Sequence, residues 1–175
     1  MKTVFRSLAS RSLIGAAAIA VACTSAMAQA PKPIKQHKAW GAYSYTDSQA
    51  GKVCYILSIP TAKEPVDRDH GDVFFLVSQK PNGQDGFEPQ VEVGYSLKAD
   101  SEVTVTIDGK SFAMFTQGRN AWLKDLSQEP AFVGAMRAGS QMTVAGQSSR
   151  GTNTSYTYSL SGVTAALRDV SNCER

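Results

Sequence analysis

Hydrophobic and polar residues alternate with a period of two along most of the chain beyond its N-terminal part. The clearest runs are QVEVGYSL (residues 90–97) and SEVTVTI (residues 101–107). A period of two places successive side chains on opposite faces of a β-strand, so one face of each strand should be buried. In the second run, Val103, Val105 and Ile107 are expected to point into the core.

Turn signals separate these runs. Asp108-Gly109 stands between SEVTVTI and KSFAMFT (residues 110–116), and both turn residues can take positive φ, so the pair predicts a β-hairpin. The stretch SSRGTNTS (residues 148–155) predicts another hairpin before YTYSL (residues 156–160). We expect about eight strands at regular spacing, which is typical of an antiparallel sandwich or barrel.

The alternation weakens in the second half of the chain, in AWLKDL (residues 121–126) and PAFVGAMRAG (residues 130–139). Pro130 suits the first turn of a helix and Gly139 suits its end. Ser161 can cap a further short helix before residue 173. The predicted fold class is therefore all-β, an antiparallel β-sandwich or barrel-like domain with one or two short helices in the C-terminal half.

Residues 1–28 have the order of features found in a secretory signal peptide. Three basic residues come first: Lys2, Arg6 and Arg11. The apolar stretch of residues 13–23 follows, and it is shorter than the ~20 residues that span a bilayer. Ala26-Met27-Ala28 then has the small-x-small form of a cleavage site. We expect cleavage near Ala28 and no transmembrane segment afterwards, which places the protein in the periplasm of a Gram-negative bacterium or outside the cell.

The segment QAPKPIKQHK (residues 29–38) is polar and contains two prolines, so it is interpreted as a flexible N-terminal arm. His37 lies in this arm and is expected to be exposed. Residues 39–175 then form a single β domain, because the 147 residues (175 − 28) left after cleavage suit one ordinary core.

Removal of the signal peptide changes the charge of the protein. The chain has 18 Lys and Arg and 15 Asp and Glu. The signal carries three of the basic residues and no acidic one, so 15 of each sign remain and the formal net charge is zero. A nucleic-acid-binding protein would show a clustered basic surface, so we predict no nucleic-acid partner.

Cysteine usage agrees with export. Cys54 and Cys173 are the cysteines that remain after cleavage, and an even number in an oxidising compartment predicts a disulfide bond between them. Two free thiols are the alternative. Cys23 lies inside the signal, where AVAC (residues 20–23) loosely resembles a lipoprotein site, so acylation of Cys23 is a second alternative.

The hexapeptide DRDHGD (residues 67–72) is rich in ionisable side chains, namely those of Asp67, Arg68, Asp69, His70 and Asp72. A calcium loop would need a glycine at its sixth position and a glutamate at its twelfth, and neither is present here. A zinc site would need more His or Cys ligands than this segment offers. A solvated connection before the apolar strand explains the composition best, and a loop that contacts a partner is the other interpretation. No metal or cofactor is predicted.

The hairpin tip of residues 148–152 is the second candidate contact loop. Arg150 and Thr152 stand among small polar residues, and loops on rigid β scaffolds commonly carry binding contacts. A plain solvated hairpin tip is the alternative. Alternating tyrosines near both ends of the domain either line a groove or pack within the sheet: Tyr43, Tyr45, Tyr156 and Tyr158.

The sequence gives little support to a catalytic function, because it shows no recognisable pairing of a nucleophile with a base. His37 lies in the arm, and the residues around Ser161 lack the glycines of a hydrolase nucleophile elbow. A disulfide at Cys54 would remove a cysteine nucleophile. Paired carboxylates brought together across strands stay open, so a weak hydrolase is kept as an alternative.

The C-terminal half resembles the invasion associated locus B family of exported alphaproteobacterial proteins. The resemblance rests on the order of RAG (residues 137–139), MTV (residues 142–144), SSRGT (residues 148–152) and YSLSGVTAAL (residues 158–167). The upstream DHGDVFFLVSQKP (residues 69–81) also fits. The resemblance implies an exported all-β accessory protein associated with host-cell invasion, virulence or envelope function.

One departure from the family pattern concerns cysteines. Many members carry an additional cysteine pair in the middle of the domain, whereas RNAWLKDL (residues 119–126) has none here and Trp122 is expected to pack in its place. Taken together, we predict a non-catalytic protein that binds a protein or an envelope component. A periplasmic inhibitor or chaperone-like module is the alternative, and the sequence does not indicate an oligomeric state.

Overall fold

The computed structural model describes residues 30–49, 51–80, 84 and 86–173. The predicted signal peptide, its cleavage site and Cys23 lie outside these residues. The described strands are β1 Lys32–His37, β2 Trp40–Asp47, β3 Gly51–Ser58, β4 Ala62–Glu64, β5 Phe74–Gln79, β6 Phe87–Glu92, β7 Glu102–Ile107, β8 Lys110–Gln117, β9 Asn120–Leu123, β10 Gln141–Gln147 and β11 Asn153–Ser159. The α-helices are α1 Glu129–Ala138, which a 3₁₀ turn at Leu126–Gln128 precedes, and α2 Val163–Ser171.

The strands form one antiparallel sheet in the order β1-β2-β3-β5-β6-β9-β8-β7-β10-β11-β4. The sheet is not closed, because β1 and β4 are its two edges. The predicted antiparallel all-β class, with helices in the C-terminal half, is confirmed. Neither helix in the described part of the chain is long and apolar enough to cross a lipid bilayer.

The alternating patterns lie where the sequence predicts them. Val103, Val105 and Ile107 are all buried on one face of β7. Asp108 and Gly109 take φ values of 43° and 87° and join β7 to β8 as the predicted hairpin. The local turn chemistry therefore determines the register of this pair of strands.

Three of the eleven strands in the described residues were not among the eight or so that were predicted, namely β1, β4 and β9. Lys32–His37 of the predicted arm pair with β2, with an irregularity between Pro33 and Lys35. An edge strand tolerates proline because one side of its backbone has no strand to bond. Asn120–Leu123 pair with both β6 and β8, and this strand is too short for its alternation to be evident in the sequence.

The helix boundaries are partly as predicted. Pro130 lies in the first turn of α1, and the N–H of Gly139 donates to the carbonyl of Ala135 at its end. Ser161 does not cap α2, which instead begins after Gly162 at φ 99°. A Cβ atom on Gly162 would lie 2.0 Å from the carbonyl oxygen of His37, so only glycine fits between α2 and β1.

An aromatic cluster forms the centre of the core. The fully buried Trp40 donates its indole N–H to the carbonyl of Ser159 at 2.9 Å, which joins β2 to β11. Phe75 of β5 packs edge-on against Trp40 and Tyr158 and stacks on Phe132 of α1. Because these residues come from distant positions in the strand order, the sheet has to curve around them.

A disulfide and a contact between His37 and Asp169 join α2 to the first strands. The predicted disulfide between Cys54 and Cys173 is present, with an S–S distance of 2.01 Å, and it ties the end of α2 to β3. His37 Nε2 lies 2.6 Å from Asp169 Oδ2 and ties α2 to β1. The expectation that His37 lies exposed in a tail is therefore wrong, because pairing of β1 with β2 brings its ring against α2.

Candidate functional site

The two predicted contact loops line one polar cleft. Residues 67–72 lie between β4 and β5, and residues 148–152 join β10 to β11. The cleft between them has a volume of about 610 Å³. Most of the predicted contact residues line it, namely Asp67, Arg68, Asp69, His70, Arg150 and Thr152. Asp72 is exposed but does not belong to the lining.

Strand pairing brings the two loops together. The short strand β4 pairs with β11, with Lys63 opposite Tyr156 and Glu64 opposite Ser155. The chain therefore leaves β4 beside the β10–β11 hairpin and enters the 67–72 loop there. The third wall is the segment after β6, which contributes Gly94, Tyr95 and Ser96.

The backbone of the 67–72 loop is held in place by polar and steric contacts. Asp69 Oδ1 accepts the N–H of Gly71 at 2.9 Å, and Lys63 Nζ donates to the Gly71 carbonyl at 2.9 Å. Gly94 lies directly against the loop, since a Cβ atom there would come within 2.3 Å of the His70 carbonyl oxygen. Glycine at both 71 and 94 therefore allows the loop to pack closely on the segment after β6.

His70 does not belong to a solvated connection, which corrects that interpretation of the hexapeptide. Its side chain is buried, with 6% of the residue exposed. Nδ1 lies 2.9 Å from the hydroxyl of Tyr156, and Nε2 lies 3.0 Å from the carbonyl oxygen of Pro65. The flanking Asp67, Arg68 and Asp69 are exposed, so the solvated interpretation holds for them.

A chain of hydrogen bonds runs from His70 to the floor of the cleft. The hydroxyl of Tyr156 lies 2.8 Å from that of Tyr95, which in turn lies 2.7 Å from Oγ1 of Thr154. Tyr95 and Thr154 both line the cleft. We call the set His70, Tyr156, Tyr95 and Thr154 the hydroxyl chain. It connects the 67–72 loop, β11 and the segment after β6.

The partners determine where the protons lie in the hydroxyl chain. The Pro65 carbonyl can only accept, so Nε2 of His70 carries a proton. In the neutral ring Nδ1 then accepts from the Tyr156 hydroxyl. Burial, followed by the hydrogen bond with Tyr95, raises the pKa of Tyr156 well above its ordinary value, so this phenol stays protonated.

The hairpin tip is ordered by its own backbone. The N–H of Ser148 donates to the Thr152 carbonyl at 2.8 Å, and Gly151 takes φ 85°, as the predicted hairpin requires. Ser149 donates its N–H to the Ser96 carbonyl, which ties the tip to the third wall of the cleft. The Arg150 side chain makes no hydrogen bond or ion pair with any residue that the structure describes.

Two further observations concern the chemistry of the cleft. Arg68 Nε lies 3.8 Å from Asp67 Oδ2, and both side chains are exposed, so this ion pair contributes at most ~1 kcal/mol. Within the described ranges, no group of three or more His, Cys, Asp or Glu side chains is arranged to hold a metal ion.

Comparison with known proteins identifies the family of the chain. A model of the invasion associated locus B (IalB) protein family matches residues 40–171. The chain belongs to the IalB family. No curated protein matches it. A crystal structure of invasion associated protein B from Bartonella henselae is similar, with a TM-score of 0.57 and 15% sequence identity, over 80% of this chain and 96% of that chain. At this identity the likeness shows the fold.

This IalB-family protein has a second concave surface, an apolar groove of about 780 Å³ near the start of α1. Trp122 of β9 stacks on Phe115 of β8 in its wall, with ring centroids 5.7 Å apart. Phe115 and Leu126 are exposed in the groove. The sequence did not indicate this surface, because β9 was not recognised as a strand. The signal present was the alternation of Trp122 with the buried Ala121 and Leu123.

The four alternating tyrosines do not form a shared groove. Tyr156 and Tyr158 are fully buried in the core, as the packing interpretation predicts. Tyr43 and Tyr45 contact Tyr55 on the neighbouring strand β3 instead. Burial, and then the proximity of Tyr43 and Tyr45, raises the pKa of Tyr55.

Proposed function

We propose that this IalB-family protein is an exported, non-catalytic accessory protein that binds a protein or an envelope component. We further propose that this binding accounts for an association with host-cell invasion. Export to the periplasm or beyond is supported by the Cys54–Cys173 disulfide, since such bonds persist in oxidising compartments.

The observation that carries this proposal is the convergence of two loops on one cleft. The 67–72 loop and the 148–152 hairpin tip lie far apart in the sequence, yet both line the same polar concavity. Their backbones are held by hydrogen bonds and by the close approach of Gly94. Loops held by a rigid β scaffold are a common location for binding residues.

A non-catalytic role is supported by the state of the reactive side chains. Both ring nitrogens of His70 already have structural partners, so the ring is not placed to activate a nucleophile. Cys54 and Cys173 are consumed by the disulfide. The side chains that remain available at the cleft rim are suited to hydrogen bonding.

In-cell cross-linking followed by affinity purification tests the proposal. The tagged protein would be cross-linked in the envelope and its partners identified by mass spectrometry. We expect an enriched partner whose yield falls when Arg150→Ala or Asp69→Asn alters the cleft rim. The matched control is Arg168→Ala, because Arg168 is an exposed arginine on α2 outside the cleft lining.

Two results would contradict the proposal. Capture that is unaffected by both rim variants would exclude the cleft as the binding surface. A hydrolytic activity of the purified protein that Asp67→Asn and Asp69→Asn abolish would favour the weak hydrolase with paired carboxylates instead.

A further inference from the structure

The polar cleft has no aliphatic side chain in its described lining. Protein partners usually bury an apolar or aromatic anchor at the centre of an interface, and drug-like pockets are mostly apolar. A molecule that fills this cleft must instead exchange its hydrogen bonds with water for hydrogen bonds with the protein over most of its surface. Such a molecule carries polar groups on all sides.

The formal charges of the lining cancel. The two carboxylates of Asp67 and Asp69 are matched by the two guanidinium groups of Arg68 and Arg150. A site for phosphate or sulfate would carry an excess of cations around the anion. The balance here favours a ligand without net charge.

The cleft lining contains hydrogen-bond donors and acceptors that are not used in bonds to other described residues. The Arg150 guanidinium has no partner among the described residues, so all its N–H groups can donate. Asp69 uses Oδ1 for the Gly71 N–H, and its Oδ2 makes no hydrogen bond within the described part of the chain. Ser148 is buried but also lines the cleft, and its Oγ accepts from the N–H of Thr152, which leaves its own proton to donate. A sugar hydroxyl donates and accepts at once and can therefore satisfy both kinds of group.

The side chains of Tyr95 and Thr154 in the cleft lining are already ordered in the absence of a ligand. The hydroxyl chain fixes the positions of Tyr95 and Thr154 through hydrogen bonds of 2.7–2.9 Å. A site whose side chains are already ordered loses less conformational entropy on binding. The smaller entropy loss is important for a hydrophilic ligand, because replacing its hydrogen bonds to water with hydrogen bonds to the protein contributes only a modest net free energy of binding.

We propose that the cleft between the 67–72 loop and the 148–152 hairpin tip binds a neutral saccharide, with Asp69 and Arg150 bonding its hydroxyls. The inference rests on the proposed function, because a saccharide would be the envelope component of that proposal. It narrows the class of ligand to uncharged, hydroxyl-rich chains.

NMR titration of the ¹⁵N-labelled protein, from residue 29 to its end, tests the inference. The probes are N-acetylchitotetraose and maltotetraose as neutral saccharides, and a heparin-derived tetrasaccharide as a sulfated one. We expect a neutral saccharide to shift the amide signals of Tyr95, Ser96 and Ser149 saturably. Asp69→Asn and Arg150→Ala should each raise the apparent Kd about tenfold, since hydrogen bonds to charged groups are involved. Asn keeps an acceptor for the Gly71 N–H, and Arg168→Ala should bind like the unaltered protein.

The other outcomes separate this inference from the proposed function. Shifts with the sulfated probe alone would show that the cleft selects anions and would overturn the saccharide inference. Absence of shifts with every probe, together with a cross-linked protein partner lost in Arg150→Ala, would overturn it and leave the proposed binding function standing. Absence of both would overturn the two together.

Discussion

His70 and Tyr156 are joined by a hydrogen bond of 2.9 Å between Nδ1 and the phenol oxygen, although 86 positions separate them in the chain. The bond attaches the 67–72 loop to β11, next to the strand pairing of β4 with β11. Because the Tyr156 hydroxyl also bonds Tyr95, one phenol connects two of the three walls of the cleft. The position of the candidate site therefore depends on a buried side chain that does not itself line the cleft.

Two tyrosines on β11 form a matched pair for testing this role. Tyr156 and Tyr158 are both fully buried, but the Tyr158 hydroxyl has no hydrogen-bond partner among the described residues. We expect Tyr156→Phe to lower the free energy of unfolding by about 1–3 kcal/mol, because His70 and Tyr95 lose a buried partner. Tyr158→Phe should raise it by about 1 kcal/mol, because a buried unsatisfied hydroxyl is removed.

Urea denaturation of both variants checks these values. The slope of the unfolding free energy against urea should stay unchanged, so that the midpoints report stability alone. Equal destabilisation by the two substitutions would contradict the different roles of the two hydroxyls.

The same tyrosines predict the alkaline limit of stability. Burial raises the pKa of both Tyr156 and Tyr158 well above the ordinary value near 10. Above pH ~10 the unfolded phenols lose their protons while the folded ones keep theirs, so the unfolded state binds fewer protons and stability falls as pH rises. The slope should reach about 1.4 kcal/mol per pH unit for each tyrosine, with full stability below pH ~10.

Urea unfolding at a series of alkaline pH values measures the slope of stability against pH. Tyr158→Phe should reduce this slope by the contribution of one tyrosine. A stability that stays constant across that range would contradict the burial of these phenols.

The disulfide predicts a large loss of stability on reduction. The bond between Cys54 and Cys173 spans a sequence separation of 119, for which chain entropy assigns about 4–5 kcal/mol. The double variant Cys54→Ser, Cys173→Ser should therefore unfold at a lower temperature than the oxidised protein. Reducing agent should shift the unaltered protein in the same direction and leave the double variant unchanged. A double variant as stable as the oxidised protein would argue against the bond.

Substitution by alanine should have opposite effects on stability at two glycines, Gly94 and Gly134. Gly94→Ala should destabilise the protein by at least about 1–3 kcal/mol, because a Cβ atom would lie 2.3 Å from the His70 carbonyl oxygen and 2.6 Å from Gly71 Cα. Gly134 lies within α1 with open space at its Cβ position, so Gly134→Ala should stabilise by about 1 kcal/mol. Thermal unfolding compares the two.

Loop displacement is a second readout for Gly94→Ala. The amide signals of residues 67–72 should shift in its NMR spectrum and should not shift in that of Gly134→Ala. A Gly94→Ala protein with unchanged melting temperature and loop signals would show that the close packing of residues 71 and 94 is not required.

Local chemistry in the sequence predicts a large part of the fold. Alternation identifies the buried face of β7, and Asp108-Gly109 identifies its hairpin, because both signals act between neighbouring residues. Pro130 and Gly139 mark α1 for the same reason. The helix α2 was predicted, but its capping residue was wrong, because Gly162 and not Ser161 precedes the helix and Gly162 is required by its contact with β1.

The candidate site was predicted as two separate loops, each from its own composition. Asp67, Arg68, Asp69, Asp72 and Arg150 are exposed, whereas Thr152 is half-buried and His70 and Ser148 are buried. The burial of His70 was not predictable from DRDHGD, because the partners of its ring lie at Pro65 and Tyr156, in different segments. The apolar groove around Trp122 was missed for a similar reason, since its wall combines β8 and β9.

The order of residues was enough to predict the antiparallel β class, the position of the hairpins, the pairing of two cysteines and the resemblance to the IalB family. These properties depend on side-chain period, turn conformation and the number of thiols, all of which are local or compositional. Three features became evident from the folded chain alone: β4 pairs with β11, the two loops share a cleft, and His70 in the lining of that cleft is buried. Contacts between distant segments depend on how the whole sheet curves around its aromatic core, and no short stretch of sequence contains that information.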